Sequence, residues 1–316
     1  IAPASASFVR PVPSVMRVVS LLPSATEILC LIGAADTLVG RSHECDHPAS
    51  LLTPGGPVPI DRVPSLTAQR THFQAAAQVH EDVARMLRPG GSDHAASGGG
   101  GEDAASSGAD PHALYTLDTD RLRALRPDVI LTQDLCAVCS VDLPTVRAAA
   151  AELDPAPRVI TLNPATVEDV FDDVVTVGEA VGRGGAARDA VLALRSRFFE
   201  AAEHVNPYTE GPSLAFLEWP EPLFIAGHWT PQLVERAGAR HPLNPTAPID
   251  EHAGAGAGHH GAFRRAGASA QITAQQLVDS APEALVLCPC GLDLAQTRAE
   301  YERLLGRPWF RGLPAV

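Results

Sequence analysis

The sequence predicts an α/β protein built on parallel sheets, and three observations predict it. Short β-branched runs stopped by proline or polar clusters recur at 17–22, 129–132, 158–162 and 284–288. Each is followed by a stretch with the apolar period of a helix, and this alternation is the mark of a parallel sheet. The alternation falls into two blocks, with an almost continuous helical pattern from 167 to 205 between them.

Composition narrows the field. A chain of 316 residues can bury a substantial core in one large or two medium domains. Its net charge of −13 argues against a nucleic-acid partner, which would call for basic patches. No Lys occurs, and with the Ala, Gly and Pro load this reads as compositional bias without functional meaning. No apolar run approaches the ~20 residues that span a bilayer. Residues 1–16 form a tail with Ala, Ser and a single Arg, and the first acidic group is Glu27. That composition fits the remnant of an organelle-targeting presequence and fits a plain disordered tail equally; the compartment is open between organelle, extracytoplasmic space and cytosol.

The first element, at 17–22, reads as a buried strand ended by Pro23. Ser24 stands at an N-cap position with Glu27 three residues on, the capping-box spacing, before the apolar run 28–32 and Gly33. Val39 and Gly40 end a second strand, and the polar cluster Ser42, His43, Glu44, Cys45, Asp46 and His47 follows. Two loops are thereby delivered to one edge of a parallel sheet, where ligands of open α/β sheets bind. Residues 49–66 read as a Pro-rich surface crossing and 69–87 as a helix. Residues 89–111 are a Gly/Ser/Ala/Asp insertion that cannot build a core. A short helix at 121–125, the strand 129–132, a helix at 144–153 and the strand 158–162 complete a first lobe of four parallel strands. The second block holds the strand 213–219, a helix at 231–237, a Gly/Ala/His insertion at 244–269, a helix at 273–280, the strand 284–288 and a helix at 294–305. The terminal Leu-Pro-Ala-Val reads as the start of a strand.

Three stretches make the sequence recognisable. R-V-V-S-L-L-P-S-A-T-E-I-L-C-L-I-G and the later S-H-E-C-D-H-P, with F-L-E-W-P-E-P-L-F-I-A-G-H-W in the second block, resemble the cobalamin-binding branch of the class III helical-backbone periplasmic substrate-binding proteins. L-R-A-L-R-P-D-V-I is similar to a recurring element of the same receptors. The resemblance covers nearly the whole chain. It implies two Rossmann-like lobes (17–165 and 207–316), a linker at 166–206 whose portion 186–204 is the long interlobe helix, and a ligand cleft between the lobes. Members of that family usually continue with a closing strand and helix, so the resemblance implies either a second lobe shortened by them or a chain that continues past Val316.

The function implied is non-catalytic binding of cobalamin or a related corrinoid or tetrapyrrole. A flat macrocycle suits such a cleft, because aromatic faces stack on it and a few polar groups bond its rim. The candidate contacts are Pro23, Ser24, Ala25, Thr26, His43, Glu44, Cys45, Asp46, Gln133 and Cys136 on the first lobe. On the second they are Glu218, Trp219, Phe224, Gly227, His228 and Trp229. Trp219, Phe224 and Trp229 supply the faces, Glu44, Asp46, Gln133 and Glu218 the rim contacts. His43, His47 and His228 are candidate axial ligands to a corrinoid cobalt. The plainer readings are that Ser24 and Glu27 only cap a helix and that the tryptophans only pack a core. For docking to a membrane transporter the receptors use one exposed acidic residue per lobe; the matching positions are Asp120 and Gln275, so one of the two charges is absent.

Two other functions stay open. The fold can serve as a structural or accessory subunit of a larger complex with an empty cleft. The sulfurs can form a zinc or iron-chelate site, since Cys136 and Cys139 have half-site spacing and Cys45 and His43 are available, although the cleft's organic-ligand character argues against zinc. An enzyme is the weakest reading: no G-x-S-x-G, no phosphate-binding Gly-rich loop and no paired carboxylates of hydrolase spacing occur.

Overall fold

In the computed structural model the described residues are 16–69, 75–86, 115–134, 141–206, 208–249 and 264–316. Cys136 and Cys139, the insertion 89–111 and the tail up to residue 15 lie outside them.

The chain begins with β1 (Val18–Ser20), α1 (Pro23–Leu31) and β2 (Leu38–Arg41). A hairpin, β3 (Ser50–Thr53) and β4 (Gly56–Pro59), occupies the stretch expected to be a bare crossing, because Leu51 finds a fully buried place under it. β5 (Thr67–Gln69) precedes α2 (Ala76–Met86), so the expected helix starts later than its pattern suggested, and β6 (Tyr115–Leu117) pairs antiparallel with β5. Next come α3 (Thr119–Leu125), β7 (Val129–Thr132), α4 (Leu143–Ala151) and β8 (Arg158–Thr161).

The first sheet has the order β2-β1-β7-β8, all parallel. Strand alternation sends its side chains to two cores. Val18, Val129 and Leu131 face the core shared with α1, while Val19 and Ile130 face the one under α3 and α4. Both faces are covered, which is why these strands read as continuous apolar runs rather than alternating ones.

α5 (Val167–Ala180) and α6 (Gly184–Glu200) follow as an antiparallel pair on the first core. They approach closely at Gly178, where a Cβ would lie 2.3 Å from that of Ala187. The 17 residues of α6 span ~25 Å and carry the chain to the second lobe.

That lobe holds β9 (Leu214–Pro220), β10 (Leu223–Ile225), α7 (Thr230–Arg236), β11 (Ala247–Pro248), β12 (Arg264–Arg265), β13 (Ala270–Gln271), α8 (Ala274–Asp279), β14 (Ala284–Leu287), α9 (Leu294–Leu305) and α10 (Pro308–Arg311). Its sheet runs β13-β10-β9-β14, with β9 and β14 parallel and a β9–β10 hairpin adding antiparallel pairing. Leu217, Ile225, Leu277, Leu304 and Phe310 form its core. The terminal Leu-Pro-Ala-Val is a turn, not a strand: the Leu313 and Val316 N–H groups donate back to Phe310 and Leu313, and Pro314 has no N–H for a ladder.

The capping box expected at Ser24 does not form. Pro23 takes the first helical position, so the N-cap is Leu22, which has no side chain to offer, and Ser24 is exposed. The reciprocal boxes are instead Thr166 with Asp169, Thr273 with Gln276, and Asp293 with Gln296.

Candidate functional site

Loops at the C-terminal ends of β1, β2 and β7 bring Pro23, His43, Glu44 and Gln133 around one recess of the first lobe. His43 is fixed from two sides. Its backbone N–H donates to Thr67 Oγ1 at 3.0 Å, and its Nδ1 lies 2.6 Å from the same oxygen. Its ring leans on Tyr115, with centroids 5.4 Å apart. Nε2 sits 3.2 Å from Glu44 Oε1 without hydrogen-bond alignment. Thr67 and Tyr115 escaped sequence reasoning because the β5–β6 pairing that carries them is interrupted by residues 70–114; the alternation in Leu-Thr-Ala-Gln and Tyr-Thr-Leu was the available signal.

Three expected contact residues are not at the surface of this recess. Ala25, Thr26 and Cys45 are fully buried. Thr26 Oγ1 lies 2.9 Å from Ser20 Oγ and 3.1 Å from Cys45 Sγ, a cluster that ties the end of β1 and the first turn of α1 to the loop after β2. These side chains position the loop that presents His43 and Glu44. Burial pushes the Cys45 thiol up, and its sulfur is engaged by the Thr26 hydroxyl. Among the described residues no group of three or more His, Cys, Asp or Glu side chains is arranged for a metal ion, and the other two sulfurs of the zinc reading, Cys136 and Cys139, lie outside those residues. Ser24, Asp46 and His47 are exposed.

The second lobe presents Glu218, Gly227 and His228 together at the ends of β9 and β10. Burial raises the Glu218 carboxyl, opposed by hydrogen bonds from the Ser269 hydroxyl and the Gly227 N–H and by the nearby His228. Gly227 is required by packing, since a Cβ there would fall 2.0 Å from the Ser269 nitrogen. His228 takes a left-handed backbone, φ 54°, with its N–H donating to Gly267 at 2.8 Å. Phe224 and Trp219 face each other across the hairpin, and the Trp219 indole donates to the Glu221 carbonyl at 3.0 Å. Trp229, which precedes α7, is 36% exposed, more open than Trp219 and Phe224.

The two edges face one another. Glu44 Oε1 lies 3.8 Å from where a Cβ on Gly291 would stand. The recess beside it has a volume of about 20 Å³, room for about one water molecule. A cavity of about 420 Å³ lies elsewhere, between the start of α5 and the β11–β12 hairpin; Glu168, Asp169, Asp172, Arg195 and Arg265 line it, a charged wall unlike the face of a macrocycle. Of the docking residues, Asp120 is exposed and paired with Arg123 at 2.8 Å, and Gln275 donates to Asp279 at 2.7 Å.

Solved structures of periplasmic binding proteins share this two-lobed arrangement. A heme-binding protein from Roseiflexus sp. RS-1 in its apo form superposes with a TM-score of 0.58 at 15% identity, covering 95% of this chain and 85% of its own. One from Pseudomonas aeruginosa gives 0.57 at 19%, covering 95% and 80%. The vitamin B12-binding protein of Vibrio cholerae gives 0.50 at 14%, covering 86% and 75%. No family model matches the sequence, and no curated protein matches it. At these identities the likeness establishes the two-lobed α/β fold.

Proposed function

We propose that the protein is a non-catalytic, extracytoplasmic binding protein for cobalamin or a related corrinoid or tetrapyrrole, held between the two lobes. The observation that carries the reading is the approach of the Glu44 side chain to Gly291 across the lobes, with Gln133 beside Glu44 on the first lobe and Glu218 grouped with His228 on the second; Trp229, next in the chain, is taken as the stacking face. Polar rim groups and an exposed indole are the chemistry a flat macrocycle with amide or carboxylate edges calls for. Solved structures of the same fold that bind heme and vitamin B12 support the ligand class. In this reading the lobes part to admit the ligand, and the 20 Å³ recess marks the first-lobe side of the cleft. Delivery to a membrane transporter belongs to the same proposal, with Asp120 and Gln275 marking the docking faces; neither offers an unshared negative charge, so such docking is weak here.

The test is calorimetric titration with cyanocobalamin and with hemin. One of them binds with 1:1 stoichiometry, and Trp229→Ala weakens it by roughly 1–3 kcal/mol while the circular dichroism stays unchanged. Silence of both compounds at high micromolar concentration rejects the reading in favour of a structural subunit, and binding with equal affinity in the variant removes Trp229 from the contact surface.

A further inference from the structure

The segment after β5 does not stay with the lobe it springs from. Ala76, the first residue of α2, is fully buried, and its N–H donates to Glu300 Oε1 on α9 of the second lobe at 3.0 Å. One turn further on, His80 sets its ring 6.3 Å from that of Phe224, the residue facing Trp219 on the hairpin. Glu300 is only 3% exposed, and a carboxylate so deeply buried needs partners. It has two: Arg303 on its own helix, and the N-terminus of α2, where unsatisfied N–H groups and the positive end of the helix dipole favour a negative charge. At the other end the root of the segment is tied to the cleft loop, since Gln69 Nε2 donates to Glu44 Oε1 at 3.1 Å.

We propose that α2 is an internal strap, a helix sent from the first lobe to the second, which holds the lobes together over the cleft and must detach before a macrocycle enters. Glu300 is its clasp. The strap sets the tilted His80 ring beside Phe224, and its root engages the Glu44 carboxylate that a ligand rim would use. A ligand that recruits Glu44 therefore competes with Gln69 and loosens the strap from its root. The ligand part of this inference rests on the reading of the cleft given above; the strap itself rests on the contacts of Ala76, His80 and Glu300.

The experiment compares the full chain with Glu300→Ala and Glu300→Gln in three measurements: amide hydrogen exchange over 75–81, small-angle scattering, and stopped-flow association of cyanocobalamin and of hemin. In Glu300→Ala the α2 amides exchange about tenfold faster, the radius of gyration grows, and the probe that binds the parent protein associates about tenfold faster. Glu300→Gln keeps an oxygen to accept the Ala76 N–H and stays within about threefold of the parent on each count. Faster exchange in α2 with radius and association rate unchanged overturns the proposal. If neither probe binds any variant, the macrocycle reading fails by itself, and the radius of gyration alone decides the strap: growth keeps it and constancy rejects it. Should Glu300→Ala not fold, Ala76→Pro removes the donor at a helix position where proline is tolerated, and it is read in the same way.

Discussion

Asp173, on α5, carries the largest carboxylate displacement with a defined window. Burial pushes its carboxyl up to about 6, and the charges of Asp169 and Asp172 add to the push. The folded state thus holds a proton that the unfolded chain releases near pH 4, and stability falls as pH rises from about 4 to about 6. Asp173→Asn removes the penalty. Discounted for solvent screening of a partly exposed group, the variant gains about 1 kcal/mol at pH 7 and nothing at pH 3.5. Urea unfolding at the two pH values checks this, and an equal gain at both contradicts it. Residue-level reading of the site was uneven for a related reason. The loop Ser42–His47 was legible as a polar cluster at a strand end, but nothing in its spelling told Cys45, which points inward to Thr26, from His43 and Glu44, which point to the recess. Side-chain direction in a non-repeating loop has no period to read.

Helix starts give a sharper contrast at the scale of elements. Ser24 and Thr273 both stand three residues before Glu or Gln, yet only Thr273 caps: its Oγ1 accepts from the Gln276 N–H at 3.1 Å while Gln276 Oε1 accepts from the Thr273 N–H at 2.8 Å. Thr273→Ala is accordingly expected to cost ~1 kcal/mol, and Ser24→Ala to change stability by less than ~0.5 kcal/mol. Equal losses in thermal or urea unfolding would show that Ser24 caps in solution after all. Strand β7 and helix α9 fell where the apolar period placed them, because a segment buried on one face or on two leaves its spacing in the sequence. The hairpin β3–β4 did not, since it keeps a single anchoring side chain, Leu51, fully buried and spends the rest of its length on proline, glycine and exposed positions.

At the scale of the molecule, the alternation of strand and helix sufficed for two α/β lobes, and the helical stretch between them for the connector α6. What the sequence did not disclose is the crossing of α2, because the bond from Ala76 to Glu300 joins residues 224 apart and no periodicity records such a pairing. The mixed sheet of the second lobe was hidden likewise, as β10 and β13 are only three and two residues long. Both features bear on the cleft, whose occupant is the central claim. Its most direct test is a crystal structure of the protein grown with cyanocobalamin or hemin. The account predicts the macrocycle lying between Glu44 and Gln133 on one side and Glu218 and Trp229 on the other, with α2 moved off Phe224. A ligand bound on an outer face, or a cleft still closed by α2 with no ligand in it, would contradict the account.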